Sequence, residues 1–155
     1  MKPLLILLIS FFLSVLFSKV FLSKYNYQIS GRIAFSFMLL FTAIGHFVFT
    51  KGMSLMIPDV FPAKTFIIYA TGIIEIAFAI CLLFPKYQKA TALFVIAFLL
   101  LMLPANIKAA INNINYQTGA LDGNGPSYLW FRIPLQLFFI FWVYFFAFLK
   151  NSQSI

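Results

Sequence analysis

Five long apolar stretches, at residues 3–22, 33–50, 66–84, 90–103 and 128–149, are separated by short polar connectors. A helix needs about 20 apolar residues to cross the ~30 Å hydrocarbon core of a bilayer. The fourth stretch reaches that length by continuing through Pro104 towards Ala110. Hydrocarbon offers no water to unpaired backbone groups, and these runs are too long for barrel strands, so each reads as a helix. With 63% hydrophobic and only 9% charged residues, 155 residues cannot hide this apolar surface in a water-soluble core. The predicted fold class is an all-α transmembrane helix bundle.

The charge balance agrees. Eleven Lys and Arg face three acids, Asp59, Glu75 and Asp122, for a net +8. In a soluble chain that excess would point to nucleic acid. Here the cations stand at the ends of apolar runs with no basic stripe, where they set topology and meet anionic lipid. The bilayer, not nucleic acid, is the expected partner. The lone Cys81 excludes an internal disulfide and a paired redox motif.

Lys2 before the first run resembles the start of a signal peptide. The apolar core is long, however, and no A-x-A cleavage site follows, so a retained helix is expected. The polar stretch 23–32 reads as a connector, and 51–62 as a loop closed by Pro58 and Pro62. The expected organisation is an N-terminal span with its connector (1–31), a four-helix membrane domain (32–150) and a polar tail (151–155). Lys19, Lys24, Arg32, Lys86, Lys89 and Lys150 fall on one side, against Lys2, Lys51, Lys64, Lys108 and Arg132 on the other. The second side also carries Asp59, Asp122 and the longest loop. The first side is therefore placed in the cytoplasm, with the N-terminus outside and the C-terminus inside.

Polar residues are distributed unevenly by depth. His46 lies near the end of the second run, and Glu75 lies about 13 Å into the third from the same side. Tyr69, Thr71, Asn106, Lys108, Trp130, Arg132 and Gln136 fall in the same half, while the opposite half is almost wholly Phe, Leu, Ile, Val and Ala. Thr71, Gly72, Glu75 and Ala79 share one helical face, and Arg132 and Gln136 stand one turn apart. His46, Tyr69, Glu75, Asn106, Arg132 and Gln136 are thus the candidate ligand-binding residues of one extracytoplasmic pocket. An ionised Glu75 near mid-bilayer costs about 2.5–3.5 kcal/mol, so it is expected either protonated or facing Arg132, Lys108 or His46. A zinc or copper set does not assemble from one His, one distant Cys and two interfacial Met, Met53 and Met56. No catalytic triad, phosphate loop or dinucleotide glycine motif is present.

The segments Ala43-Ile44-Gly45-His46-Phe47, Met56-Ile57-Pro58, Tyr69-Ala70-Thr71-Gly72-Ile73-Ile74-Glu75, Leu82-Leu83-Phe84-Pro85, Pro104-Ala105-Asn106-Ile107 and Leu129-Trp130-Phe131-Arg132-Ile133-Pro134-Leu135-Gln136 occur in this order. Over residues 32–148 the chain resembles the DoxX-like family of small bacterial membrane proteins. The resemblance implies a four-helix core with both ends cytoplasmic, to which the first run adds a fifth span. It also implies the bacterial cytoplasmic (inner) membrane and, for some members, partnership with membrane or periplasmic oxidoreductases of sulfur and thiol chemistry. The leading functional expectation is an accessory subunit of a membrane redox system that binds quinone or another lipid-soluble ligand. The alternatives are a small proton-coupled transporter or ligand-binding protein, and a structural scaffold.

Overall fold

A computed structural model describes residues 2–23 and 25–148. The polar tail and two of the topology-setting cations, Lys24 and Lys150, lie outside the described residues. Among the described residues six α-helices follow one another: α1 (Lys2–Leu22), α2 (Tyr27–Val48), α3 (Thr50–Met56), α4 (Lys64–Leu83), α5 (Gln88–Ile111) and α6 (Leu129–Phe148). A single 3-10 turn, Pro126–Tyr128, leads into α6. All but α3 are long and apolar enough to cross a membrane, and the molecule is a multi-pass membrane protein.

Helices α2, α4, α5 and α6 close into a ring in which each packs on the next, and α1 lies outside it against α2. The difference shows in burial: 11% of the apolar window of α1 is buried within the protein, against 44% for α2. The centre is filled by Phe35, Met38 and Leu39 of α2, Ala79 and Leu82 of α4, Ala92 and Val95 of α5, and Phe139 and Val143 of α6. Outward positions such as Phe12, Leu101 and Phe141 are large, apolar and exposed. In a bilayer those faces meet acyl chains, which solvate them as well as a protein core would.

The helix boundaries depart from the sequence reading in two places. Residues 27–32 belong to α2 rather than to a connector, so the expected domain boundary at 31/32 falls inside a helix. Asn26 starts this helix early, its side chain accepting a hydrogen bond from the Ile29 amide at 3.1 Å. Residues 50–56 form α3 instead of loop. The Thr50 hydroxyl donates to the carbonyl of His46 (2.7 Å), joining α3 to the last turn of α2. Pro104 lies inside α5, as expected. Its missing N–H leaves the Leu100 carbonyl without its helical donor, and the neighbouring Leu99 carbonyl accepts from Gln136 on α6.

Because the long helices alternate in direction, the molecule has two ends. The end of α2, the starts of α4 and α6, the end of α5 and the whole of α3 share one, called here the His46 end. The end of α1, the start of α2, the α4–α5 connection and the end of α6 share the other, the Arg32 end.

Candidate functional site

The last turns of α2 meet the middle of α4 at a glycine. A Cβ on Gly72 would lie 3.0 Å from His46 Cβ and 3.1 Å from the Phe47 ring, so the glycine sets how closely the two helices approach. The contact puts the His46 imidazole against three groups of α4. Nδ1 lies 2.9 Å from Thr71 Oγ1 and 3.2 Å from the Ile68 carbonyl oxygen, and Nε2 lies 3.6 Å from Glu75 Oε1. His46 and Glu75 are only 9% and 7% exposed. The second carboxyl oxygen, Glu75 Oε2, is buried without a hydrogen-bond partner.

The Ile68 carbonyl can only accept, so a hydrogen bond to it is made by the tautomer that carries its proton on Nδ1. The Thr71 hydroxyl donates to the helix carbonyl of Ile67 or Ile68, at 3.0 and 2.9 Å, which turns its lone pairs to the same N–H. Nε2 then faces Glu75 Oε1 at 3.6 Å, an ion-pair approach just beyond hydrogen-bond length. With one further proton on Glu75 the pair is neutral imidazole and carboxylic acid; with it on Nε2 the pair is imidazolium and carboxylate. Both forms carry zero net charge, which lets the pair lie deep in hydrocarbon without the penalty of a lone ion.

The six candidate residues do not all meet there. His46 and Glu75 do, joined by Thr71. Tyr69 is 41% exposed and stacks on Phe47 with ring centres 5.7 Å apart. Asn106 is buried, and its amide donates to the Met102 carbonyl of its own helix (3.0 Å). Gln136 is buried and spends its amide on Leu99. Arg132 is half-buried, with Nε unpartnered. Among the described residues, no hydrogen bond or ion pair links His46 or Glu75 to Asn106, Arg132 or Gln136. Of the three cations expected opposite Glu75, His46 fills the role. Lys108 is engaged elsewhere, donating to the Ile57 carbonyl (2.8 Å) and to Asp59 (3.1 Å).

That lysine helps close a cap over the His46 end. Asp59 also accepts from Lys64, and the two ammonium groups, Lys64 foremost, hold its exposed carboxyl below the usual carboxylate range. Beside it, α3 packs so tightly on the α5–α6 loop that a Cβ on Gly52 would fall 2.1 Å from the Tyr116 carbonyl oxygen. Two surface grooves accompany the cap. One, of about 360 Å³, is lined by Leu55, Asp59, Lys64, Lys108 and Leu121 among others. The other, of about 320 Å³, runs between Leu4 and the Trp130–Phe138 stretch of α6. Neither is lined by His46 or Glu75. Among the described residues no cluster of three or more His, Cys, Asp or Glu gathers to hold a metal ion.

Residues 35–147 match the family described as Domain of unknown function (DUF8561), a stretch that begins within α2 and ends within α6. The chain belongs to the DUF8561 family. The matched region holds the ring of four long helices, with α3 and both sides of the His46–Glu75 contact, and leaves α1 outside. No curated protein and no solved structure matches the chain.

The half of the membrane that looked featureless in sequence is not so in the fold. Arg32 is 7% exposed, its Nη1 buried without a partner; Ser30 and Ser36 are buried with unpartnered hydroxyls. The signal was present as spacing. Arg32, Ser36, Leu39, Ala43 and His46 recur at i, i+4, i+7, i+11 and i+14, so Arg32 and Ser36 lie on the stripe of α2 that carries His46.

Proposed function

We propose that this protein is a DoxX-like accessory of a membrane redox system in the bacterial cytoplasmic membrane. In this reading a quinone, or a lipid-soluble molecule with similar carbonyls, docks beside the His46–Glu75 pair. The observation that carries it is the buried carboxyl with one oxygen near an imidazole and the other unused. A group in that state can donate a hydrogen bond to a carbonyl, or a proton to a carbonyl oxygen gaining electrons. Its imidazole neighbour, oriented by Thr71 and Ile68, can refill it without net charge ever building up in the membrane. The electrons themselves belong to an oxidoreductase partner, since Cys81 is the only thiol and no flavin motif is present. In this reading the polar cap faces the periplasm, with the N-terminus outside and the C-terminus in the cytoplasm.

A proton-coupled transporter would use the same pair but needs a polar way through. Between Ser36 and His46 the α2–α4 seam is closed by Leu39, Ala43, Ala79 and Leu82, each at most 1% exposed. The accessory reading therefore fits better. The test is mass-spectrometric identification of quinone retained by the purified protein, wild type against Glu75→Gln and His46→Gln. Retention by the wild type and loss in both variants is expected. A wild type that neither retains nor rebinds quinone, or variants that bind it equally, rejects the proposal.

A further inference from the structure

Arg32 is the sixth residue of α2, about 7–8 Å along the helix from its start at Tyr27. It is more than nine-tenths buried, and Nη1 has no hydrogen-bond partner among the described residues. A guanidinium shut inside a protein normally faces a carboxylate. This chain has three acidic side chains, and none can serve. Glu75 is engaged by His46, fourteen residues and about 21 Å further along α2. Asp59 lies between α3 and α4, held by Lys64 and Lys108, and Asp122 lies in the α5–α6 loop; both are at the opposite end of the molecule.

No acidic side chain of this protein supplies a counter-charge for Arg32. Two further features specify its chemistry. Ser36, one turn on and on the same stripe, is 3% exposed and has a hydroxyl without a partner. Lys19, Lys86 and Lys89 stand exposed at the same end, so the region attracts anions before any reaches the buried group. A planar guanidinium offers paired N–H donors that match the oxygens of phosphate, and a serine hydroxyl adds a third donor. A depth of a turn and a half below the helix start matches that of lipid phosphates and the glycerol region.

We propose that Arg32 and Ser36 form a binding site for a phosphate group, supplied by an anionic lipid headgroup or by free phosphate. The site is separate from the His46–Glu75 pair, and its occupancy does not depend on the function proposed there.

Native mass spectrometry of the full-length protein in neutral detergent tests it. The protein is titrated with phosphatidylglycerol, with phosphatidylcholine, and with phosphatidylglycerol against inorganic phosphate. The wild type is expected to hold phosphatidylglycerol in preference to phosphatidylcholine, and Arg32→Gln to weaken that binding about tenfold or more. Lys89→Gln, which removes an exposed cation from the same end, is expected to change it about twofold at most. Should Arg32→Gln not fold, Arg32→Lys carries the test: it keeps the charge, loses the fork, and is expected to bind about threefold to tenfold more weakly. Displacement of the lipid by inorganic phosphate identifies a site open to soluble phosphate, and its absence identifies the lipid as the source. Equal binding of the two lipids, or phosphatidylglycerol binding that both Arg32 variants leave unchanged, overturns the proposal.

Discussion

The two ends of the α2–α4 seam carry opposite solutions to one problem. At the His46 end, an acid and a base face each other at ion-pair distance, and a threonine and a backbone carbonyl contact the imidazole. At the Arg32 end, a permanent cation is buried one helical turn from the unpartnered Ser36, with no carboxylate side chain near it. At the first end the opposing group belongs to the chain; at the second, on the proposal above, it is bound from outside. Charge buried in a low-dielectric interior is compensated somewhere, and the two ends differ in where the compensating group comes from.

The α2 glycines next to the two buried groups differ sharply in packing. A Cβ on Gly31 would lie 2.2 Å from the Phe146 ring, on an α6 face that also hydrogen-bonds the Gly31 carbonyl through Trp142 Nε1 at 3.1 Å. Gly31→Ala is expected to destabilise the protein by about 3 kcal/mol, at the upper end of overpacking costs. A Cβ on Gly45, beside His46, meets nothing nearer than Met53 Cε at 3.6 Å, and Gly45→Ala is expected to be nearly neutral. Denaturation in mixed micelles measures both, and equal losses would break the contrast.

Removing one member of the proton-sharing pair comes next in size. His46→Ala leaves Glu75 buried without its neighbour and is expected to cost about 2 kcal/mol, limited because the carboxyl can keep the shared proton. Glu75→Gln preserves shape and neutrality and is expected to cost about 1 kcal/mol. The same unfolding assay would contradict a neutral pair if Glu75→Gln proved the more damaging.

Arg32→Met should behave in the opposite sense. In neutral detergent, where nothing compensates the cation, it is expected to stabilise the protein by about 1 kcal/mol. In bilayers containing phosphatidylglycerol the gain is expected to vanish or reverse. A destabilisation of equal size in both media would mean that Arg32 is satisfied by the protein itself.

The smallest effect concerns the cap. Asp59 is held below the ordinary carboxylate value of 3.8, first by Lys64 and then by Lys108. A carboxyl lowered in the folded state contributes fully above that ordinary value, and the contribution is lost as pH falls through the lowered one. The protection of the amides over residues 57–63, taken relative to the intrinsic exchange rate at each pH, is therefore expected to stay constant from neutral pH down to about pH 4 and to fall only below it. Asp59→Asn is expected to abolish that acid step.

Much of the fold was legible from residues alone, because a helix in hydrocarbon must satisfy its own backbone and long apolar runs leave few choices. Continuation of α5 through Pro104 was legible for the same reason. The start of α2 was not. Ser30, Gly31 and Arg32 look like connector when polarity is scored residue by residue, and only packing against Phe146 and Trp142 makes Gly31 a helix contact. Half-membrane placement put His46 and Glu75 at similar depth, and in the fold their side chains approach to 3.6 Å, since both lie on apolar helices whose mutual depth follows from chain direction. Depth says nothing of azimuth, however. Tyr69, two residues from Thr71, turns outward onto Phe47, and Asn106 and Gln136 are taken up by the carbonyls of Met102 and Leu99.

The chain contains one histidine, and Glu75 is its only glutamate. Labelling the imidazole nitrogens with 15N and the glutamate carboxyl carbon with 13C therefore marks only the pair at the centre of the proposed function. Dipolar recoupling by solid-state NMR in bilayers should show strong dephasing between Nε2 and the carboxyl carbon, as the 3.6 Å approach of Oε1 requires. Absence of dephasing would place the two groups apart in the membrane and contradict the account.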